Sequence, residues 1–352
     1  MKQREPLSNT QLLMFIAIGI FAVMYISAMI GLGGGFLRFQ QIFDLLNDNA
    51  YLIMITCALT VVMIGGGINI SVGGVIGLTV MACALFLNGT GLQGPAGILV
   101  SLLLALGIGL AFGIGQGFLV SYLEIQPFIV TLAGMFLSRG LTTMLSVNPV
   151  KVAHEGFLGL SKTKILIPFL GYTANNGNLI PAKVEIGAVA ALLTVVICFL
   201  MLRYMKFGRN IYALGGNQQS ALMLGINVKR TRFMTYVISG LLSGLAGFIF
   251  LMHKPAGNSN VAMRSEMDAI AASIIGGTLL TGGVGNVIGS FFGVMILATI
   301  QKIIALSPLN ESWWQDMASG ALLGFFILLQ SVVLSSREKR RAEKNALAAR
   351  KE

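Results

Sequence analysis

GGGINISVGG, residues 65–74, stands between two long apolar runs of the chain. Glycine lowers the stability of a helix by about 1 kcal/mol relative to alanine, and backbone groups freed from a helix have no water partners inside a lipid bilayer. The run also places two polar side chains, Asn69 and Ser71, among the glycines. We interpret it as a break between two membrane helices, for which other parts of the protein must compensate.

The composition of the chain is that of an integral membrane protein. Of its 352 residues, 55% are hydrophobic and 11% are charged, whereas soluble proteins contain about 25% charged residues. The net charge is +11, but six of the 24 Lys and Arg lie in residues 203–232 and seven in residues 337–351. Because an excess of Lys and Arg marks the cytoplasmic side of a membrane protein, we interpret the charge as a sign of topology and not of nucleic-acid binding.

Nine apolar segments are candidates for helices that cross the bilayer, for which about 20 mostly apolar residues are needed. They are Leu12–Met29, Ala50–Ile64, Gly74–Leu87, Ala96–Tyr122, Phe128–Leu145, Ile186–Tyr204, Phe233–Met252, Val284–Ala305 and Trp314–Leu334. The basic N-terminus, the basic tail and residues 203–232 are all expected in the cytoplasm. Six spans precede residues 203–232 and only three follow them, so one more crossing is required.

DAIAASIIGGTLL, residues 268–280, supplies the tenth crossing, although it is short and is interrupted by Gly276 and Gly277. The predicted fold is therefore an all-α polytopic membrane protein of about ten transmembrane helices with discontinuous, glycine-rich segments. We divide the chain into a transmembrane domain, residues 1–335, and a basic cytoplasmic tail, residues 336–352. Both termini are predicted to be cytoplasmic.

Short or glycine-interrupted apolar segments are typical of the working centre of a transporter. The two such places in this chain are residues 268–280 and residues 50–88, which the glycine-rich residues 65–77 interrupt in the middle. We expect the translocation path near seven residues in them: Gly66, Asn69, Ser71, Gly73, Asp268, Gly276 and Gly277. IGGGINISVGGVIG and IGGTLLTGGVGNVIG are similar to each other, but the crossing count gives the segments before them the same direction, so an inverted repeat is not indicated.

Enzymatic and metal-binding patterns are absent from the sequence. HExxH, GxSxG and the Walker A pattern GxxxxGK[ST] do not occur. The three cysteines, Cys57, Cys83 and Cys198, lie in apolar runs without the spacing of metal ligands, and His154 and His253 are interpreted as isolated surface residues of external loops. We therefore predict no catalytic residue, no cofactor and no metal.

Residues 146–185 form a long polar segment between two predicted spans and are expected on the external side. LIPFLGYTANNGNLIPAKVE within it contains Pro168, Pro181 and clustered Asn and Gly, which is typical of a loop. The preceding span contains a charged residue, Arg139, about 18 Å along the helix from Pro127. We expect Arg139 near the external end of that span.

The largest predicted internal loop has the sequence FGRNIYALGGNQQSALMLGINVKRTRF. Residues 215–217 resemble a helix start, residues 218–224 can form two helical turns, and Gly225 can end them as a left-handed residue. The residues expected to make up this contact loop are Gly215, Gly216, Asn217, Ala221, Leu222, Leu224 and Gly225. Its apolar side chains are expected to pack against another surface, which is either a partner protein or the membrane bundle of the chain itself.

Four stretches carry a resemblance to a known family: GGINISVGGVIGLT, IQPFIVTLAGMFLSRG, YALGGNQQSALMLGINV and EMDAIAASIIGGTLLTGGVGNVIG. In this order they resemble the signatures of permease subunits of bacterial ribose-type ABC sugar importers. The resemblance covers nearly all of residues 45–335. TLAGMFLSRG and SWWQDMASGALLGFFILLQ are most similar to the galactofuranose-type permeases.

The resemblance implies the ABC importer permease fold, in a multi-pass protein of the bacterial inner membrane that conducts a monosaccharide inward. It implies three kinds of partner: cytoplasmic ATPase subunits, a second and paralogous permease chain, and a periplasmic sugar-binding protein. Residues 215–225 would dock on the ATPase, and residues 65–77 would lie close to the translocation path. Relatives commonly have GGIDLSVG where this chain has Asn69, which keeps the shape of the acid and loses its charge.

One alternative function is an ion-coupled secondary carrier or channel for a small polar solute, which would work without an ATPase. A proton-coupled carrier is expected to contain buried carboxylates along its path, and the predicted spans contain few charged residues. Together with the resemblance, this scarcity favours an importer subunit without catalytic residues, driven by ATP hydrolysis on another chain.

Overall fold

The computed structural model describes residues 9–32, 39–92, 94–173, 179–307, 313–315 and 317–329. The predicted basic tail and the end of the tenth predicted span lie outside the described residues. Most of the described chain is helical, with two short pairs of antiparallel strands. The all-α class that the sequence predicts is confirmed.

The elements have the following bounds. The helices are α1 (Asn9–Leu32), α2 (Gln40–Asp48), α3 (Ala50–Ile64), α4 (Val72–Gly89), α5 (Pro95–Ser121), α6 (Pro127–Leu145), α7 (Glu155–Lys162), α8 (Ile186–Tyr204), α9 (Lys206–Gly216), α10 (Gln218–Met223), α11 (Val228–His253), α12 (Ser265–Ile275) and α13 (Val287–Leu306). The strands are β1 (Val150–Lys151), β2 (Lys164–Thr173), β3 (Leu179–Glu185) and β4 (Ala256–Gly257). Residues 313–315 and 317–329 are also helical.

The helices run between two opposite faces of the molecule. The β2–β3 hairpin lies on one of them, which we call the hairpin face, and α9 and α10 lie on the other, which we call the loop face. α11 begins next to α10 and ends at His253, whose Nδ1 lies 2.7 Å from Glu185 Oε2 at the end of β3. The same ring approaches Asp48 just before α3 begins. α3 therefore begins on the hairpin face and runs towards the loop face. α12 runs in the same direction, because its first residue, Ser265, lies beside Tyr51 at the start of α3 and the segment after α12 contacts the end of α3.

Seven helices among the described residues are long and apolar enough to cross a membrane. An eighth crossing results if α2 and α3, which meet at 61°, are counted as one span. α12 has 11 residues, about 16 Å at 1.5 Å per residue, and is too short to cross alone. The protein is a polytopic membrane protein, and the count of ten crossings remains a prediction.

α3 lies at the centre of the bundle. Every residue of α3 except Tyr51 is buried. The helix is apolar on all sides, which is typical of a span that is surrounded by other helices. α5 and α11 also pack with their backbones in close contact: a Cβ added at Gly113 would lie 2.8 Å from the carbonyl oxygen of Tyr236 and 3.2 Å from the Cα of Gly240. Small residues allow such contact between membrane helices.

The segment between α6 and α8 is more regular than the sequence predicts. It contains α7 and the β2–β3 hairpin, which pairs Lys164 with Glu185 and Tyr172 with Ile180. The prediction of a loop was wrong because it rested on prolines and clustered Asn and Gly. Each strand of a two-stranded hairpin is an edge strand, where proline is tolerated.

Candidate functional site

The first glycine-rich break, residues 65–71, is the turn between α3 and α4. α3 ends in a Schellman motif, in which the N–H of Gly66 donates to the Met63 carbonyl (2.9 Å) and the N–H of Gly67 to the Val62 carbonyl (3.1 Å). Gly66 has a φ of +76°, which glycine adopts without the steric cost of a Cβ. The glycines therefore give the end of the helix its own hydrogen-bond partners.

The second glycine-rich break, residues 276–286, is the turn between α12 and α13 and begins in the same way. The N–H of Gly277 donates to the Ile274 carbonyl and the N–H of Thr278 to the Ser273 carbonyl, both at 2.9 Å. Gly277 has a φ of +91°. The similarity of the two IGG sequences thus reflects the same helix end, used twice in helices that run in the same direction.

The two breaks contact each other through their backbones. The N–H of Gly283 donates to the carbonyl of Ile64, the last residue of α3, at 2.8 Å. A Cβ added at Gly282 would lie 2.8 Å from the Cα of Gly66. Gly282 and Gly283 also have φ values of +86° and +74°, so both the conformation and the close approach favour glycine here.

The end of α9 completes this contact. A Cβ added at Gly215 would overlap the Ile64 carbonyl oxygen and lie 2.5 Å from the nitrogen of Gly283. A Cβ added at Gly283 would lie 2.7 Å from the Cα of Gly216. We call the residues of this three-way contact the glycine junction: Gly66, Gly215, Gly216, Gly282 and Gly283.

Tyr212 connects α9 to the second break by a side-chain hydrogen bond. Its hydroxyl donates to the Gly285 carbonyl at 2.8 Å. Burial raises the pKa of Tyr212 to about 12, against a smaller lowering by the Arg203 charge, so the hydroxyl keeps its proton at physiological pH. A loop was predicted in this segment and α9 was not, although the buried residues Gly208, Ile211 and Leu214 of α9 recur every three positions.

Asn69 and Ser71 form a buried polar network behind the first break. Asn69 Nδ2 donates to Ser239 Oγ in α11 (3.0 Å), and Asn69 Oδ1 accepts from the backbone N–H (3.1 Å) and the hydroxyl (2.7 Å) of Ser71. The Gln116 amide in α5 donates to Ser71 Oγ (2.8 Å). Asn69 and Ser71 are 2% and 1% exposed, so the network joins the break to α5 and α11.

Gly73 lies within α4, which begins at Val72, so the irregular backbone is shorter than the predicted residues 65–77. The expectation of a break through residue 77 was wrong because glycine in a membrane helix can also make room for a neighbour. A Cβ added at Gly73 would overlap the carboxylate of Glu266 at the start of α12. Gly73 therefore permits the contact between α4 and α12.

Arg139 holds the loop between α11 and α12 on the hairpin face. Its guanidinium donates to the carbonyls of Val261 (2.6 Å) and Ala262 (2.9 Å). The carboxyl group of Glu266, buried in the first turn of α12, lies nearby. This position agrees with the expected place of Arg139 near one end of its span, whereas Glu266 was not among the predicted residues.

The other three predicted path residues lie at different depths along α12. Gly276 packs directly against Gly289 of α13, and a Cβ added at Gly277 would lie 2.5 Å from the Cβ of Leu13 in α1. Asp268 lies in the first turn of α12, far from the glycine junction, and lines a depression of about 450 Å³ beside Tyr51. The structure therefore does not bring the seven predicted path residues into one site.

α10 is the short helix that the sequence predicts on the loop face. Asn217 caps its first turn by accepting the N–H of Ser220 at Oδ1 (2.9 Å). Gly225, with a φ of +75°, ends the helix in a third Schellman motif. The predicted roles of Asn217 and Gly225 at the two helix ends are confirmed.

The orientation of α10 differs from the prediction. Ala221 is 1% exposed and packs against Leu214 of α9 and Val228 of α11. Ala221 was expected among the residues that contact the ATPase, and this expectation was wrong because α9 and the start of α11 already cover its side chain. The side chains that α10 and its end present outward are Leu222, Met223 and Leu224, which are 54%, 88% and 77% exposed.

His154 and His253 have structural partners. His154 is buried and caps α7: Nδ1 accepts the N–H of Phe157 and Nε2 lies 3.0 Å from the Leu92 carbonyl, so its interpretation as a surface residue was wrong. His253 is half-buried beside Glu185. Among the described residues, His, Cys, Asp and Glu form no group arranged to hold a metal ion.

A family model with the description "branched-chain amino acid transport system / permease component" matches residues 41–327. The chain belongs to this permease family. The match covers both glycine-rich breaks, the glycine junction and α10 of this permease. Membership makes the chain a transport subunit and not an enzyme. The chain is a multi-pass protein of the inner membrane.

Three relatives match this permease over nearly their whole length. It is 38% identical to the inner membrane ABC transporter permease protein YjfF of Escherichia coli (strain K12), over 90% of this chain and 91% of that protein. It is 32% identical to the fructose import permease protein FruG of Bifidobacterium longum (91% and 90% covered), and 32% to the ribose import permease protein RbsC of Bacillus subtilis (89% and 90%). The resemblance to ribose-type ABC sugar permeases is confirmed.

Proposed function

We propose that this permease conducts a monosaccharide of the galactofuranose or ribose type into the cytoplasm as part of an ABC importer. The relatives named as ribose and fructose import permeases support the class of solute. The galactofuranose type rests on the sequence resemblance of residues 131–140 and 312–330 alone. The sugar-binding protein and a second, paralogous permease chain are the further partners in this proposal.

The observation that carries the proposal is the exposed apolar end of α10. Leu222, Met223 and Leu224 extend from the loop face, and residues 203–232 around them contain six Lys and Arg and no Asp or Glu. The positive charge favours the cytoplasm for this face, and apolar side chains exposed there require a protein partner. In this proposal the partner is the ATPase subunit, and both termini lie on the same side.

The glycine-rich breaks are the proposed border of the translocation path. Gly66 is exposed on the loop face, whereas Asn69, Ser71, Gly73, Gly276 and Gly277 are buried. In this proposal the buried residues hold in place the helices that line the path, and Asp268 lies beside the path near the hairpin face. Irregular backbone at membrane depth is tolerated where it is buried in protein or lines a water-filled cavity.

Replacing Met223 with Glu tests the docking assignment. A charge that has to enter an apolar protein interface without a partner costs at least several kcal/mol, and each 1.4 kcal/mol is tenfold in affinity. We expect Met223→Glu to abolish co-purification of the ATPase while the permease remains at its normal level in the membrane. Gln219→Glu, an exposed polar position of the same helix, is the matched control and should retain the ATPase.

Normal ATPase recovery with Met223→Glu would exclude α10 as the docking segment. Ala221→Glu cannot serve as this test, because Ala221 is buried within the chain itself and a charge there would disturb the packing of α10. The alternative function, a secondary carrier, is tested separately. Uptake by the permease alone in ATP-free vesicles under an ion gradient would favour that alternative.

A further inference from the structure

We infer that the glycine junction transmits movement of α10 to both glycine-rich breaks at once, and that Tyr212 and Gly283 are positioning residues for transport. This inference rests on the proposed function, in which α10 docks on an ATPase. It concerns how the movement of that docked segment reaches the membrane helices.

Backbone meets backbone at the junction, with no side chain between. Cβ atoms added at Gly215, Gly282 or Gly283 would each come within 3 Å of main-chain atoms of a neighbouring segment. Side chains in a packed interior can change rotamer to absorb a displacement, whereas main-chain atoms in contact cannot. A shift of α9 therefore has to displace both breaks or separate from them.

Two hydrogen bonds connect the three segments in addition to the close packing. The N–H of Gly283 donates to the Ile64 carbonyl, which joins the second break to the end of α3. The Tyr212 hydroxyl donates to the Gly285 carbonyl, which joins α9 to the residue before the cap of α13. Backbone contact therefore resists a movement of α9 towards the second break, and the hydrogen bond of Tyr212 resists a movement of α9 away from it.

α9 and α10 are also joined firmly enough to move together. Asn217 alone separates them, and its side chain caps α10. Ala221 of α10 is buried against Leu214 of α9. A displacement of the exposed side chains at Leu222–Leu224 is therefore carried into α9, whose last residues belong to the junction.

The breaks in turn lead directly into membrane helices. The first break is followed by α4, and the polar network of Asn69 ties it to α5 and α11. The second break is followed by α13, whose first turn is capped by Asn286. One movement at the loop face therefore reaches the beginnings of α4 and α13 together.

The test measures sugar uptake and ATP hydrolysis in the complete complex of permease chains, ATPase and sugar-binding protein, reconstituted in proteoliposomes. The labelled solutes are D-ribose and D-galactose, and ATP is enclosed on the side of the ATPase. The Tyr212→Phe variant removes one hydroxyl without changing the shape of the ring. Tyr204→Phe, an exposed tyrosine on the same face with the same chemical change, is the matched control.

We expect Tyr212→Phe to assemble normally and to hydrolyse ATP, but to transport about fivefold less sugar for each ATP, the factor that corresponds to about 1 kcal/mol for one hydrogen bond. Gly283→Ala, which forces α9 away from the second break, should assemble and lose uptake and sugar-stimulated hydrolysis together. Tyr204→Phe should keep the wild-type ratio of sugar to ATP.

A wild-type ratio in Tyr212→Phe would overturn the inference, and a lower melting temperature with that ratio unchanged would show that the junction is structural alone. Wild-type coupling in Gly283→Ala would overturn it as well. Failure of the proposed function has a different signature: the unmodified complex would then take up neither sugar in the presence of ATP, and the inference would fall with it.

Discussion

The first break, residues 65–71, and the second break, residues 276–286, both follow a helix that ends in a Schellman motif. Both also precede a helix whose start is held by an asparagine that accepts the N–H two residues later, Asn69 for Ser71 and Asn286 for Ile288. They differ in their surroundings. The first break is short and joined to α5 and α11 by buried polar side chains, whereas the second is longer and exposes Leu280.

This difference indicates that the two breaks, although they are similar turns, have different structural roles. The first break is fixed on its inner side by the hydrogen bonds of Asn69, and the second reaches across to it through Gly283. The first break is the fixed surface, and the second break and α9 both pack against it. Substitutions at matching positions of the two breaks should therefore have unequal effects.

The largest effect is expected where both breaks meet α9. In Gly215→Ala, the new Cβ would overlap the Ile64 carbonyl oxygen, and overpacking of this kind costs about 1–3 kcal/mol or more. Gly216→Ala places its Cβ in open space and should leave folding unchanged. The measurement is the apparent melting temperature of each purified permease in detergent. Equal melting temperatures for the two variants would mean that the junction is not packed as described.

The asparagines that precede α4 and α13 should also differ. Asn69→Ala removes the partner of the buried Ser71 backbone N–H and of the buried Ser239 hydroxyl, at about 1–3 kcal/mol for each such group. Asn286→Ala removes a cap from a half-buried position and should cost about 1 kcal/mol. Detergent melting curves should show the larger drop for Asn69→Ala, and the reverse order would contradict the view that the first break is the fixed one.

The left-handed glycines of the two Schellman motifs give a finer comparison. Gly66→Ala and Gly277→Ala both place alanine at a positive φ, which costs about 1 kcal/mol in either break. The Cβ at Gly277 would in addition lie 2.5 Å from the Leu13 Cβ, whereas that at Gly66 has its nearest neighbour at 3.9 Å. We expect Gly277→Ala to melt at the lower temperature. A lower melting temperature for Gly66→Ala would mean that α1 does not pack against the second break.

The smallest effect is expected in the hydroxyl cluster beneath the second break. Ser290 Oγ lies 2.8 Å from Thr60 Oγ1 and 3.3 Å from Thr278 Oγ1. Hydrogen bonds between membrane helices contribute about 0.6 kcal/mol on average, so Ser290→Ala should lower the melting temperature only slightly. A large drop, comparable to that of Asn69→Ala, would show that the second break is held as firmly as the first.

Local patterns in the sequence predicted several of these features correctly. The glycine-rich interruptions, the Asn217 cap and the left-handed Gly225 follow from residues that are neighbours in the chain, and chain neighbours determine how a helix begins and ends. The family resemblance rested on four such stretches. The same reasoning could not tell that Ala221 is buried, because the inner side of a short helix is chosen by what packs against it.

The glycine junction itself could not be predicted. Ile64, Gly215 and Gly283 lie in three separate parts of the chain, and their contact depends on how α3, α9 and the second break are arranged in space. In a single sequence, glycine is the only sign that two backbones approach each other closely. Glycine also occurs where helices end and where helices pack closely, so its presence does not identify such a contact. The hairpin at residues 164–185 was missed for a related reason, since its pairing partners lie on both sides of a turn.

The most direct test of the account is whether the second break reaches the face that carries α10. The three variants are Thr281→Cys in the second break, Gln219→Cys in α10 and Asn260→Cys in the loop after α11, all at exposed positions. The native cysteines, Cys57, Cys83 and Cys198, are buried, so their background labelling by a membrane-impermeant maleimide should be low. We predict labelling of Thr281→Cys and Gln219→Cys in inverted membrane vesicles, and of Asn260→Cys in intact spheroplasts. Labelling of Thr281→Cys and Gln219→Cys from opposite sides of the membrane would contradict the account.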